Sequence, residues 1–259
     1  MSDRTGIEYC DATWNIVTGC TKISEGCLHC FAERTAKRLA GRCGYPKDNP
    51  FGVTHHLEKL DLPRRWRKPR RVFVNSMGDL FHPDVSETTL RAIFYEMSAW
   101  NLQHTFMILT KRPERMKQII DQWLSDGVIF RDGVRGRLTN NIWLGVTVEL
   151  GKYLHRIDEL LKINAAVHFV SFEPLLGPVE IPEEMLKRLD WVICGGETGP
   201  SPRMMAPEYA AHLWKQSKAA GVPFFFKKWN CGFKPEPEGY GHGKLYAEVE
   251  ATRQFPEVK

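Results

Sequence analysis

Three cysteines, Cys20, Cys27 and Cys30, fall within eleven residues, while Cys10, Cys43, Cys194 and Cys231 are scattered along a chain of 259 residues. An odd total of seven cysteines cannot pair completely, and a tight trio points to metal rather than to a disulfide framework. Thiolates ligate both zinc and iron–sulfur clusters. A structural zinc wants four protein ligands. The fourth would have to be His29, Cys10 or Cys43, and none of these completes a paired C-x2-C pattern. A cluster held by three cysteines keeps one iron open for a substrate or cofactor, which suits chemistry better than scaffolding. The spacing favours the cluster and leaves zinc as the alternative.

The elements that must position this trio are legible as apolar runs alternating with segments of helical period. Strands are expected at 14–17, 72–75, 105–110, 142–148, 168–172, 191–194 and 223–226. Between them Leu90, Ile93, Phe94 and Met97 repeat at i, i+3, i+4, i+7, as do Met116, Ile119, Ile120 and Trp123. Ser86 suits an N-cap, and Pro113 and Pro207 suit a first helical turn. Alternation of this kind predicts an α/β fold with parallel strands, either an open sheet or a partial TIM-like barrel of six or seven β/α units. Residues 1–259 read as one domain, with a cysteine loop at 18–31, a basic connection at 41–71 and an irregular tail at 230–259.

Polar residues follow each apolar run, at the strand ends that share one face of a parallel fold. Ser76, Gly78 and Asp79 follow the second run, and Lys111 with Arg112 the third, just before Pro113 opens a helix. Thr147 and Glu149 end the fourth, with Arg156 in the helix beyond; Glu173, Glu197 and Lys228 close the last three. Lys111 and Arg112 at a helix start suit an anion. Asp79 equally suits a turn or a helix cap.

Hydrophobic residues at 42% and charged residues at 26% describe an ordinary globular protein. No leader segment or membrane span is visible, so we expect a cytoplasmic protein without a membrane partner. The net charge of +5 is local: Arg64, Arg65, Arg67, Lys68, Arg70 and Arg71 lie within eight residues, and without them the chain is near neutral. Such a stripe suits a nucleic-acid backbone as well as a solvated surface. A catalytically inert, metal-stabilised nucleic-acid-binding protein is therefore the rival to an enzyme.

The cysteine loop, its place after the first strand and the β/α alternation resemble the radical S-adenosylmethionine superfamily, whose commonest spacing is C-x3-C-x2-C rather than the C-x6-C-x2-C found here. More closely, the chain resembles a bacteriophage-associated family of three-cysteine proteins of unknown function. The stretches that carry this are residues 14–30 (WNIVTGCTKISEGCLHC), 72–82 (VFVNSMGDLFH), 109–116 (LTKRPERM), 143–149 (WLGVTVE), 171–177 (SFEPLLG), 191–200 (WVICGGETGP) and 224–229 (FFFKKW). The resemblance implies a [4Fe–4S] cluster on Cys20, Cys27 and Cys30 whose open iron binds S-adenosylmethionine. It also implies an electron donor of flavodoxin or ferredoxin type and reductive cleavage to a 5′-deoxyadenosyl radical that takes hydrogen from a substrate. On this resemblance Ser76, Gly78 and Asp79 would receive the methionine ammonium, Thr147 and Glu149 the ribose or amine, and Arg156 the carboxylate. Lys111 and Glu173 would add cofactor contacts, Glu197 and Lys228 would orient substrate, and a thiol at Cys194 or Cys231 would return a hydrogen atom. The GGE sequence at 195–197 occurs in the superfamily on a different strand, so its role is not transferred.

Overall fold

The computed structural model describes residues 5–126, 138–230 and 243–257. Seven strands form one parallel sheet: β1 Ala12–Trp14, β4 Arg71–Val74, β5 Thr105–Thr110, β6 Ile142–Thr147, β7 His168–Phe172, β8 Trp191–Gly195 and β9 Phe224–Lys228. They lie side by side in chain order, so each crossover moves one place along the sheet. The sheet curls into a half-barrel, as expected for a partial TIM-like fold. Two short strands, β2 Val17–Thr18 and β3 Thr54–His55, pair antiparallel as a separate hairpin. The run expected as one strand at 14–17 is therefore split, with its second half turned away into the hairpin.

Helices α1 Phe31–Arg38, α2 Glu87–Tyr95, α3 Pro113–Ser125, α4 His155–Leu160, α5 Glu183–Leu186 and α6 Pro207–Ala220 fill the connections. Ser86 caps α2 by accepting the Thr89 amide at 3.2 Å, and Pro113 and Pro207 occupy first turns, where no N–H is needed. The stripe Leu90, Ile93, Phe94 is buried, and Met97 continues it from a wider, π-type turn at Glu96–Trp100. Among the described residues no helix is long and apolar enough to cross a membrane.

Two cores follow from the period of two along each strand. Val72, Val74, Phe106, Ile108, Leu144, Val170, Val192, Cys194, Phe224 and Phe226 face the helices. Phe73, Met107, Trp143, Phe169, Trp191, Ile193 and Phe225 face the lumen. Tyr9 spans the lumen between the two ends of the sheet, its ring lying 6.1 Å from Phe73 on β4, 5.8 Å from Trp191 on β8 and 5.7 Å from Phe225 on β9. Such edge-to-face pairs add to the burial of each ring.

The tail differs from expectation. Helix α7, Gly243–Ala251, packs on α6 and β9, burying Val249 completely. Phe255 stacks near Trp191 at 5.4 Å, and the Gln254 amide donates to the Phe224 carbonyl. Val249 in α7 and Phe255 beyond it thus carry a core face within a sequence rich in Gly, Pro and Glu.

Candidate functional site

The cysteine loop lies across the C-terminal ends of the strands. Gly19 begins it at φ +88°, and a Cβ there would come within 2.2 Å of the Gly52 carbonyl oxygen. Only glycine lets the loop approach the 41–71 connection so closely. The Gly19 amide donates to Met77 O at 2.9 Å and the Cys20 amide to Phe51 O at 3.2 Å. The thiols of Cys20, Cys27 and Cys30 all line one cavity of about 190 Å3, together with Asn75, Ser76, Gly78, Asp79, Lys111, Arg112 and Thr147. Nine residues anticipated at the strand ends and in the loop, Gly78 and Thr147 among them, therefore converge.

The three sulfurs sit against a ring of paired charges. Arg112 Nη1 reaches Cys20 Sγ at 3.3 Å and Asp79 Oδ2 at 2.8 Å, while its Nη2 holds the Thr21 carbonyl and hydroxyl at 3.1 and 3.0 Å. Lys111 Nζ lies 3.7 Å from Cys27 Sγ and 2.5 Å from Glu149 Oε1. Burial raises the Cys20 thiol above its ordinary pKa, with the Asp79 carboxylate adding to it and Arg112 opposing. Burial also resists ionisation of Cys27, but the Lys111 ammonium and hydrogen bonds at Ile23 and Ser24 outweigh it, and that thiol titrates below its usual value. Cations on sulfur stabilise thiolate, the form that ligates metal.

Glu149 is fully buried and ties the loop to the sheet. Its carboxylate accepts from Ser24 Oγ at 2.7 Å, Lys111 Nζ at 2.5 Å and Arg156 Nη1 at 2.9 Å. Gly26 sits directly above it: a Cβ would meet Glu149 Oε1 at 2.4 Å. Arg156 is 3% exposed and also donates to Thr147 O at 2.8 Å. The structure places Glu149 and Arg156 on each other rather than facing open space. Asp79 is likewise committed, accepting from Thr110 Oγ1 at 2.7 Å and the Phe81 amide at 3.0 Å besides Arg112.

Glu197 belongs to the loop as well. It accepts from His29 Nδ1 at 2.9 Å, between Cys27 and Cys30, and from the Arg203 amide at 2.8 Å. Burial raises its pKa, but the Arg203 side chain and amide and His29 win, and the carboxyl lies below its ordinary range. Glu173 forms a second group inside the lumen, accepting from Lys227 Nζ at 2.6 Å, Ser171 Oγ at 3.0 Å and Tyr9 Oη at 3.3 Å.

Two expectations are corrected. Lys228 is exposed, because β9 points Phe225 and Lys227 inward and Phe224, Phe226 and Lys228 outward. Lys227 is the lysine at the barrel mouth. Cys194 shares the outward parity and is completely buried against the helices, where burial first and then Glu173 push its pKa far up. It cannot present a thiol to a molecule in the lumen. Cys231 lies outside the described residues. Beyond the anticipated residues, which include Arg112, the structure also places Asn75, Ser24, His29 and Lys227 around this end of the barrel. Arg112 was visible beside Lys111, whereas Ser24 and His29 were legible only as members of the cysteine loop.

The basic stripe enters β4 at the opposite, N-terminal end of the strands. Arg64 clamps the buried Glu96 through Nε and Nη2, both at 2.6 Å, Arg65 pairs with Asp61 at 2.9 Å, and Arg71 lies 3.7 Å from Asp11. The charge there is largely answered within the chain, leaving Arg67 and Lys68 exposed.

Among the described residues no three Cys, His, Asp or Glu side chains converge on a point where one metal ion would be held. Three cysteines border one cavity and cations contact two of their sulfurs, a donor set of the kind that ligates either an iron–sulfur cluster or zinc.

No curated protein and no solved structure matches the chain. One family model, described as "Protein of unknown function (DUF5131)", matches residues 4–249. With nearly its whole length covered, the chain belongs to the DUF5131 family.

Proposed function

We propose that the protein is a radical S-adenosylmethionine enzyme with Cys20, Cys27 and Cys30 as the ligands of a [4Fe–4S] cluster. The observation that carries this reading is the common cavity on which the three thiols meet Asn75, Ser76, Gly78 and Thr147, at the ligand-binding end of a parallel half-barrel. A [4Fe–4S] cluster held there by Cys20, Cys27 and Cys30, and reduced by a flavodoxin- or ferredoxin-type donor, would supply the electron for reductive cleavage of S-adenosylmethionine and so the means of hydrogen abstraction from a substrate.

The chain's own residues prepare the site. Arg112 and Lys111 contact Cys20 and Cys27; Lys111 helps lower the Cys27 thiol below its ordinary pKa, and Arg112 offsets part of the rise that burial imposes on Cys20. Asp79 and Glu149 fix those cations, so the sulfurs are set by ion pairs just beyond the C-terminal ends of β4, β5 and β6. Ser76 and Gly78 form a turn whose backbone borders the cavity. Phe73, Leu109 and Phe51 supply apolar walls that limit water around a reactive intermediate. Glu173 and Lys227 lie in the lumen, on the side where a substrate would enter.

The test is direct. Anaerobically reconstituted protein, given dithionite and S-adenosylmethionine, should release 5′-deoxyadenosine and methionine, and Cys27→Ala should abolish the release. Release from the single mutant at the wild-type rate, or none from the wild type with its cluster intact, overturns the assignment.

A further inference from the structure

We propose that the side-chain amide of Asn75 is the donor that holds the α-carboxylate of the amino-acid portion of the bound ligand. The inference rests on the proposed function, under which that ligand is S-adenosylmethionine. Asn75 lies at the end of β4 and borders the cavity with the three cysteines. It is only 3% exposed, and its Nδ2 is buried with no hydrogen-bond partner among the described residues. The amide cannot be turned round to relieve this. Its Oδ1 accepts from the backbone N–H groups of Ile16 at 3.1 Å and Val17 at 3.2 Å, so a flip would set N–H against two N–H donors. Asn75 also holds φ at +58°, a left-handed conformation that asparagine tolerates and that tends to persist where a site requires it. A buried donor in a fixed orientation, on a residue that borders a cavity, is incomplete without an acceptor.

The cations around the cavity already have carboxylate partners of their own, which favours a neutral donor for an arriving carboxylate. Lys111 is committed to Glu149, Arg112 to Asp79, and Arg156 behind them to Glu149. The Ser76 hydroxyl donates to Asn15 Oδ1 at 3.2 Å. An arriving carboxylate that drew on these cations would have to break buried ion pairs, which is strongly unfavourable. Asn75 Nδ2 offers an N–H at no such cost. A neutral amide also leaves the ligand's ammonium unrepelled, where a further cation would oppose it.

The experiment compares two probes on the anaerobically reconstituted full-length protein, S-adenosylmethionine and its decarboxylated analogue, by equilibrium dialysis. Asn75→Asp keeps the acceptor for Ile16 and Val17 but replaces the donor with an oxygen. It should raise the Kd for S-adenosylmethionine at least about tenfold, and leave that for the decarboxylated probe within about twofold. Should this variant fail to fold, Asn75→Gly, which accepts the left-handed backbone, gives the same contrast. An unchanged Kd for S-adenosylmethionine, or equal weakening of both probes, overturns the assignment of Asn75. A shifted reduction potential with unchanged Kd also overturns it, giving the amide to sulfur instead. Wild-type protein that carries its cluster yet binds neither probe refutes the functional reading itself, and this inference with it.

Discussion

Replacing Glu149 with glutamine probes the buried charges that fix the cysteine loop. The substitution keeps the volume and one oxygen but removes the charge facing Lys111 at 2.5 Å and Arg156 at 2.9 Å, and it puts an NH2 where donors already point. Removing one partner from a buried ion pair costs about 3–5 kcal/mol. Arg156 retains the Thr147 carbonyl at 2.8 Å and the Tyr153 ring at 4.1 Å, so the lower end applies, about 3 kcal/mol. For a chain of this size that corresponds to a fall in Tm of roughly 6–12 °C. Ser24 loses its best acceptor at the same time, so Cys27 should react faster with iodoacetamide in metal-free protein. Adding Lys111→Met to Glu149→Gln should recover part of the loss, because the stranded cation is gone. Thermal and urea unfolding of the single and double variants measure both effects. A Glu149→Gln protein within about 1 kcal/mol of wild type would refute the view that this carboxylate carries the network.

Other substitutions test neighbouring parts of the account. Lys227→Met should destabilise by about 1–3 kcal/mol by leaving Glu173 short of a donor, while Lys228→Met stays within about 0.5 kcal/mol; urea midpoints distinguish them. Gly26→Ala should cost about 1–3 kcal/mol through its clash with Glu149, read by the same unfolding curves and by lower iron uptake. Acid should weaken the fold through His104 and His168, whose pKa values burial holds below the ordinary value. The unfolded chain then binds more protons than the native one, so stability falls as pH drops below about 6.5, by at most about 1.4 kcal/mol per histidine per pH unit. Denaturant titrations at pH 7 and 5.5 should show that decline, and equal midpoints would contradict it.

The order of strands and helices was legible because each apolar run is bounded by turn residues and each helix carries its own stripe. Which way the strand residues face was not. A parallel sheet covered on both sides makes strands such as Phe224–Lys228 apolar at every inner position, so no alternation distinguishes Lys227 from Lys228. Cys194 hid in the same way. The cysteine trio and the polar strand ends were readable from residue type and place. Their partners were not, because Glu149 with Ser24, and Glu197 with His29, are contacts between residues 125 and 168 positions apart. The tail misled for a different reason: α7 is short, and its buried face rests on Tyr246 and Val249 amid a polar sequence.

The central claim is that three sulfurs hold a cluster with an open iron that receives S-adenosylmethionine. Electron paramagnetic resonance of the dithionite-reduced, reconstituted protein measures this most directly, alongside iron and sulfide content. The account predicts about four irons and four sulfides per chain, a reduced-cluster signal that changes shape when S-adenosylmethionine is added, and loss of that signal in Cys20→Ala. A chain that takes up only zinc, or a cluster signal indifferent to the added cofactor, would contradict it.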